Sequence, residues 1–142
     1  MERRFEEKTV RKALQRGYVD AQRLLASPSQ MQKFLLRLEE KEEVVRTVGE
    51  PLAAVPVLER LLRRYLDGEY TVISAAAMAQ VVSALLYFVS PWDLYPDSVP
   101  GKGYADDAAV LDCCWKLCQP ELEAYLAWER EKLVCRNGSA GA

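Results

Sequence analysis

Hydrophobic positions recur along the chain in steps of three and four. Between residues 2 and 25, Val10, Ala13, Leu14, Tyr18, Ala21 and Leu25 fall on one stripe with charges opposite. Positions three and four apart share a helical face, so this pattern predicts an amphipathic helix. Ser27, Pro28 and Gln30 then supply an N-cap, a first-turn proline and the glutamine of a capping box, which starts a second helix. Its stripe is Met31, Phe34, Leu35, Leu38, Val45 and Val48, while Glu39, Glu40, Lys41, Glu42 and Glu43 form a solvated face. Gly49 and Pro51 stop it, because glycine suits a left-handed C-terminal position and proline cannot continue the ladder. A third helix is expected from Pro56 to Gly68, with Leu58, Leu61, Leu62, Tyr65 and Leu66 inward and Arg60, Arg63 and Arg64 outward.

From Ile73 to Val89 the chain runs seventeen residues without a charge. A segment apolar nearly all round is either a central buried helix or a membrane-seeking one. Spanning needs roughly 20 apolar residues, and this stretch is shorter and contains Ser74, Gln80 and Ser83. Burial is therefore predicted, with Met78, Val82, Leu85 and Leu86 packed against other helices; membrane association through residues 73–89 is the less favoured alternative. Residues 90–104 hold three prolines and two glycines, the composition of an ordered, turn-rich loop. A fifth helix is expected from Asp106 to Cys118 and a sixth from Pro120, with Asn137-Gly138-Ser139-Ala140-Gly141-Ala142 in a flexible tail. No strand-like alternation is present. The pattern thus predicts an all-α, single-domain helical bundle of five to six helices with an ordered acidic loop between the fourth and fifth. Residues 1–48 form an amphipathic helical pair, 49–135 the core and 136–142 the tail.

Composition narrows the chemistry. At 142 residues and 50% hydrophobic, the chain can bury roughly 68–70% of its unfolded surface without a disulfide or metal. The net charge of −2 removes the simplest electrostatic case for nucleic acid, and none is expected as a partner. Histidine is absent, which excludes histidine-dependent triads and the usual histidine-containing zinc sites. The first residues lack the apolar run of a secretory signal, so a cytoplasmic location is the expectation, with Cys113, Cys114, Cys118 and Cys135 as reduced thiols. Adjacent helical residues point about 100° apart, so Cys113 and Cys114 cannot both serve a metal shared with Cys118. Buried small apolar residues are the expected reading, with Asp112 and Lys116 paired on the wet side.

One stretch carries a resemblance. Tyr87, Ser90-Pro91, Asp93, Pro96-Asp97, Pro100, Gly103-Tyr104 and Asp106-Asp107 fit, without a gap, the pattern of the YkvA-like domains. The chain resembles that bacterial and archaeal family of unknown function over about residues 58 to 118, with its signature at 87–107. The resemblance implies an all-helical fold distinguished by this loop and lends no established activity. Trp92, Tyr95, Ser98 and Gly101-Lys102 depart from the family's habit and make the loop more polar.

The four carboxylates admit two chemistries. Asp93, Asp97, Asp106 and Asp107 would each cap backbone N–H groups, a contribution of roughly 1 kcal/mol apiece. Converging, they would hold Mg²⁺, Mn²⁺ or Ca²⁺, hard cations satisfied by oxygen, and activate water for phosphoester hydrolysis with Lys102 and Tyr104 on the phosphate. Capping is favoured, because Asp106 and Asp107 stand where a helix begins and no additional base accompanies them. The functional expectation is a non-enzymatic interaction or scaffold module without a cofactor, meeting a protein partner or a second copy of itself. The alternatives are a divalent-metal-binding protein or metal-dependent hydrolase, and a membrane-associated protein.

Overall fold

Helix-favouring stripes and caps translate directly into structure. The computed structural model describes residues 7–89 and 105–141. Along them run α1 (Glu7–Arg16), α2 (Tyr18–Ala26), α3 (Pro28–Glu40), α4 (Glu42–Val48), α5 (Ala54–Leu66), α6 (Ala75–Val89), α7 (Ala105–Leu117) and α8 (Gln119–Gly141), with a 3-10 turn at Glu50–Leu52. No strand occurs among the described residues. The fold is an all-α bundle in which α1 and α2 continue one another across Gly17, and α3 and α4 across Lys41, giving the six expected helical arms.

The local signals act as the sequence suggests. Ser27 Oγ accepts from the Gln30 backbone N–H at 3.4 Å, and Pro28 occupies the first turn of α3. Gly49 and Gly68 close their helices with φ of 79° and 76°, the left-handed region where a Cβ is strained. Some details differ from expectation. The third arm begins at Ala54 rather than Pro56, because proline is also tolerated within the first turn, where its missing N–H has no helical acceptor. Leu66 is 39% exposed rather than inward. The segment 136–141, expected to be a flexible tail, continues the backbone of α8.

α6 is the axis of the core. Ten of its fifteen residues are buried, including Met78, Val82 and Leu85, and it packs against α1, α2, α3, α5 and α7. One apolar cluster runs from Val10 through Leu58, Met78 and Val110 to Tyr125, with Leu86 packed against its edge. Small side chains allow the closest approach. Gly17, between α1 and α2, lies so near α6 that a Cβ there would stand 2.7 Å from Ser83 Oγ, and that hydroxyl donates to the Leu14 carbonyl at 2.5 Å. The N-terminal arm is therefore the lid of the apolar helix. α7 runs antiparallel to α6: Cys114 Sγ lies 3.5 Å from the Gln80 carbonyl and Cys118 Sγ 4.0 Å from that of Ala77, so position advances on one helix as it recedes on the other.

Candidate functional site

The antiparallel pair determines where the acidic connection is mounted. Val89 lies nine residues beyond Gln80 on α6, and Ala105 nine residues before Cys114 on α7. At 1.5 Å per residue both ends sit about 13 Å along the axis from that contact. The ends of α6 and α7 that flank residues 90–104 thus stand at the same level of the bundle and form a single mouth. Asp93, Asp97, Lys102 and Tyr104 lie outside the described residues. Asp106 and Asp107 are the second and third residues of α7, in the turn where backbone N–H groups lack helical acceptors and negative charge is favourable. Among the described residues no three Asp, Glu or Cys side chains gather in a metal-binding group.

Beneath the mouth the last turn of α6 is packed into the core. Tyr87 and Phe88 in the last turn of α6 are buried, so the tyrosine that opens the 87–107 pattern is a packing residue, and the Lys41 ammonium stands 5.4 Å from the Phe88 ring centre. Beside the first turns of α7 lies an open groove of about 310 Å³. Ala54 and Val57 line it from α5, Ala108, Leu111 and Trp115 from α7, and Glu50 and Asp112 bring carboxylates to its rim. Asp112 is paired with Lys116 at 3.1 Å, as its spacing suggests.

The described cysteines take the apolar role; the Cys135 side chain lies outside the described residues. Cys114 and Cys118 are buried against α6 and Cys113 is half-buried. A hydrogen bond to Cys118, reinforced by burial, holds the Cys114 thiol well above its usual pKa, and the same bond pulls Cys118 down.

A polar network that the sequence pattern did not signal fastens α8. Glu129 is 8% exposed, yet it accepts from Arg60 Nε at 2.7 Å and Nη2 at 2.9 Å in a bidentate pair, and from the Tyr125 hydroxyl at 2.8 Å. Arg64 Nε stands 3.8 Å from the same carboxylate. The Arg60 fork holds Glu129 below the usual carboxylate range, while burial and the bond to Glu129 push Tyr125 up to about 12. Tyr70 fits between Tyr125 and Trp128, with ring centres 5.1 and 4.9 Å away, and Arg64 and Lys132 flank the Trp128 ring. Arg60 and Arg64, expected as solvated surface, are thus anchored. Glu129 is 69 positions from Arg60, a separation that leaves no local spacing to read.

Comparison with known proteins follows the α6–α7 segment. Residues 77–111 match the family described as "Protein of unknown function (DUF1232)". The chain is 38% identical over 69 residues to "Uncharacterized membrane protein YkvA" of Bacillus subtilis (strain 168), which is 49% of this chain and 65% of that relative. The match thus spans just under two thirds of the relative's length. No solved structure matches. No helix among the described residues is long and apolar enough to cross a membrane.

Proposed function

We propose that the chain, whose residues 77–111 match a family of unknown function and which is similar to a YkvA protein, is a non-enzymatic interaction module whose contact surface is the mouth between α6 and α7. The observation that carries this reading is that the flanking ends of the antiparallel helices α6 and α7 stand at one level of the bundle. Binding residues concentrate on connections that a rigid scaffold positions, which favours recognition. The groove lined by Ala54, Val57, Leu111 and Trp115 adjoins that mouth and offers apolar contact to the same partner. A relative is named a membrane protein, but here α6 is committed to the core, so the lipid-seeking reading of residues 73–89 would require the N-terminal arm to be stripped from it. The test is quantitative co-purification from cells that produce the protein. The combined variant Asp93→Asn and Asp97→Asn should lose a partner, or a second copy of the chain, that Glu123→Gln on the remote face of α8 retains. Equal recovery with both would refute the reading.

A second reading, a divalent cation held by Asp93, Asp97, Asp106 and Asp107, rests on their carboxylate chemistry, since the first-turn position of Asp106 and Asp107 in α7 also suits capping. Hard oxygen ligands suit Mg²⁺, Mn²⁺ or Ca²⁺. Its test is the melting response to cation set out in the Discussion.

A further inference from the structure

α8 meets the rest of the molecule along one stripe. Glu121, Leu122, Tyr125, Glu129 and Lys132 recur at helical spacing, and each has a role at the contact. Glu121 accepts from the backbone N–H and hydroxyl of Ser74 at 2.7 and 3.0 Å, just before α6. Leu122 and Tyr125 are fully buried. Glu129 is forked by Arg60, and Lys132 pairs with Glu69. The attachment thus adds ion pairs and charged hydrogen bonds to an apolar seat in which Leu122 and Tyr125 join the core cluster.

The joint with α7 falls at a proline. Pro120 is the second residue of α8, so the ladder lacks one N–H where the two helices meet, and proline there favours a bend. We infer that α8 is a latch that undocks from the bundle as a unit, pivoting at Gln119–Pro120, with the Arg60–Glu129 and Glu69–Lys132 pairs breaking together. Undocking uncovers the apolar strip of Tyr70, Leu122 and Tyr125, which the docked state hides. Partly buried ion pairs of this kind are strong only while both partners are present, and removing one leaves the other uncompensated. This device is separate from the mouth between α6 and α7 and stands whether or not that mouth binds a partner.

Hydrogen exchange on the full chain, followed by peptide-resolved mass spectrometry, tests the latch. Sub-global opening predicts that α8 amides exchange faster than those of α6 in the wild type. Glu129→Gln should raise α8 exchange by about tenfold or more, the loss expected for a charged hydrogen bond, while α6 stays unchanged. Glu123→Gln, on the same helix but outside the stripe, should leave both unchanged. If Glu129→Gln fails to fold, the wild type at low and high salt gives the same readout, with salt accelerating α8 selectively as screening weakens the pairs. Equal acceleration of α6 and α8, or no response of α8 to either change, would overturn the inference.

Discussion

Gly17→Ala places a methyl group where the N-terminal arm crosses α6. The added Cβ would stand 2.7 Å from Ser83 Oγ and 3.6 Å from Ser83 Cβ. The first distance is too short to persist, and the second is ordinary contact. Ser83 is 1% exposed and its hydroxyl already donates to the Leu14 carbonyl at 2.5 Å, so relief requires either a shift of α1–α2 or rotation of the hydroxyl away from its acceptor. Overpacking typically costs about 1–3 kcal/mol, and forfeiting the hydrogen bond about 1 kcal/mol. Gly17 has φ −82° and ψ −7°, a conformation alanine adopts readily, which returns up to about 1 kcal/mol of helix propensity. The net expectation is a loss of about 1–3 kcal/mol. Ser83→Ala alone should cost about 1 kcal/mol, but it removes the atom that clashes. The double variant should therefore be no less stable than Ser83→Ala, a coupling of at least about 1 kcal/mol. Urea denaturation followed by far-ultraviolet circular dichroism reads all four midpoints. Additive losses, with the double variant the least stable, would refute the close crossing of the N-terminal arm over α6.

Further outcomes follow from the same geometry. If the mouth holds Mn²⁺ with a dissociation constant 100-fold below its concentration, stability should rise by about 2.7 kcal/mol, on the order of 10 °C in melting temperature; Asp97→Asn should abolish that rise, whereas under capping neither protein responds. The Tyr125 phenol, pushed up to about 12, should be absent from the tyrosinate absorbance gained near pH 10, and its contribution to stability should hold below pH 10 and be lost as pH rises through about 12. Glu129 acts at the other end: its depressed carboxyl stabilises the fold above the ordinary 4.5, and that contribution declines as pH falls through the lower folded value. In the native protein a thiol reagent should modify Cys113 well before the buried Cys114 and Cys118, and simultaneous reaction of Cys113 and Cys114 would contradict the packing of α7 on α6.

The helical arms were legible because each carries its own periodic stripe and stop signal. The seventeen uncharged residues ending at Val89 could be assigned to a core from length and from Gln80 and Ser83 alone. Neither the Gly17 crossing nor the Lys41 break left a comparable mark, since a glycine or lysine inside a helical stripe is compatible with an unbroken helix until its tertiary neighbour is known. The 87–107 pattern located the mouth but mixed two kinds of residue: Tyr87 belongs to the core, and Asp106 and Asp107 begin α7. Glu129, Tyr125, Tyr70 and Trp128 were invisible as a group, because a bidentate pair between α5 and α8 is a product of the fold and not of any local spacing.

The central claim, that the α6–α7 mouth is the contact surface, is tested most directly by site-specific photo-crosslinking in cells that produce the protein. A photoreactive amino acid is placed in turn at position 95 in the connection, at Trp115 in the adjoining groove and at Val19 on α2, which is 53% exposed. The account predicts one crosslinked species of the same mass, a partner or a second copy of the chain, from positions 95 and 115 and none from position 19. Crosslinks of equal yield from all three positions, or from position 19 alone, would contradict it.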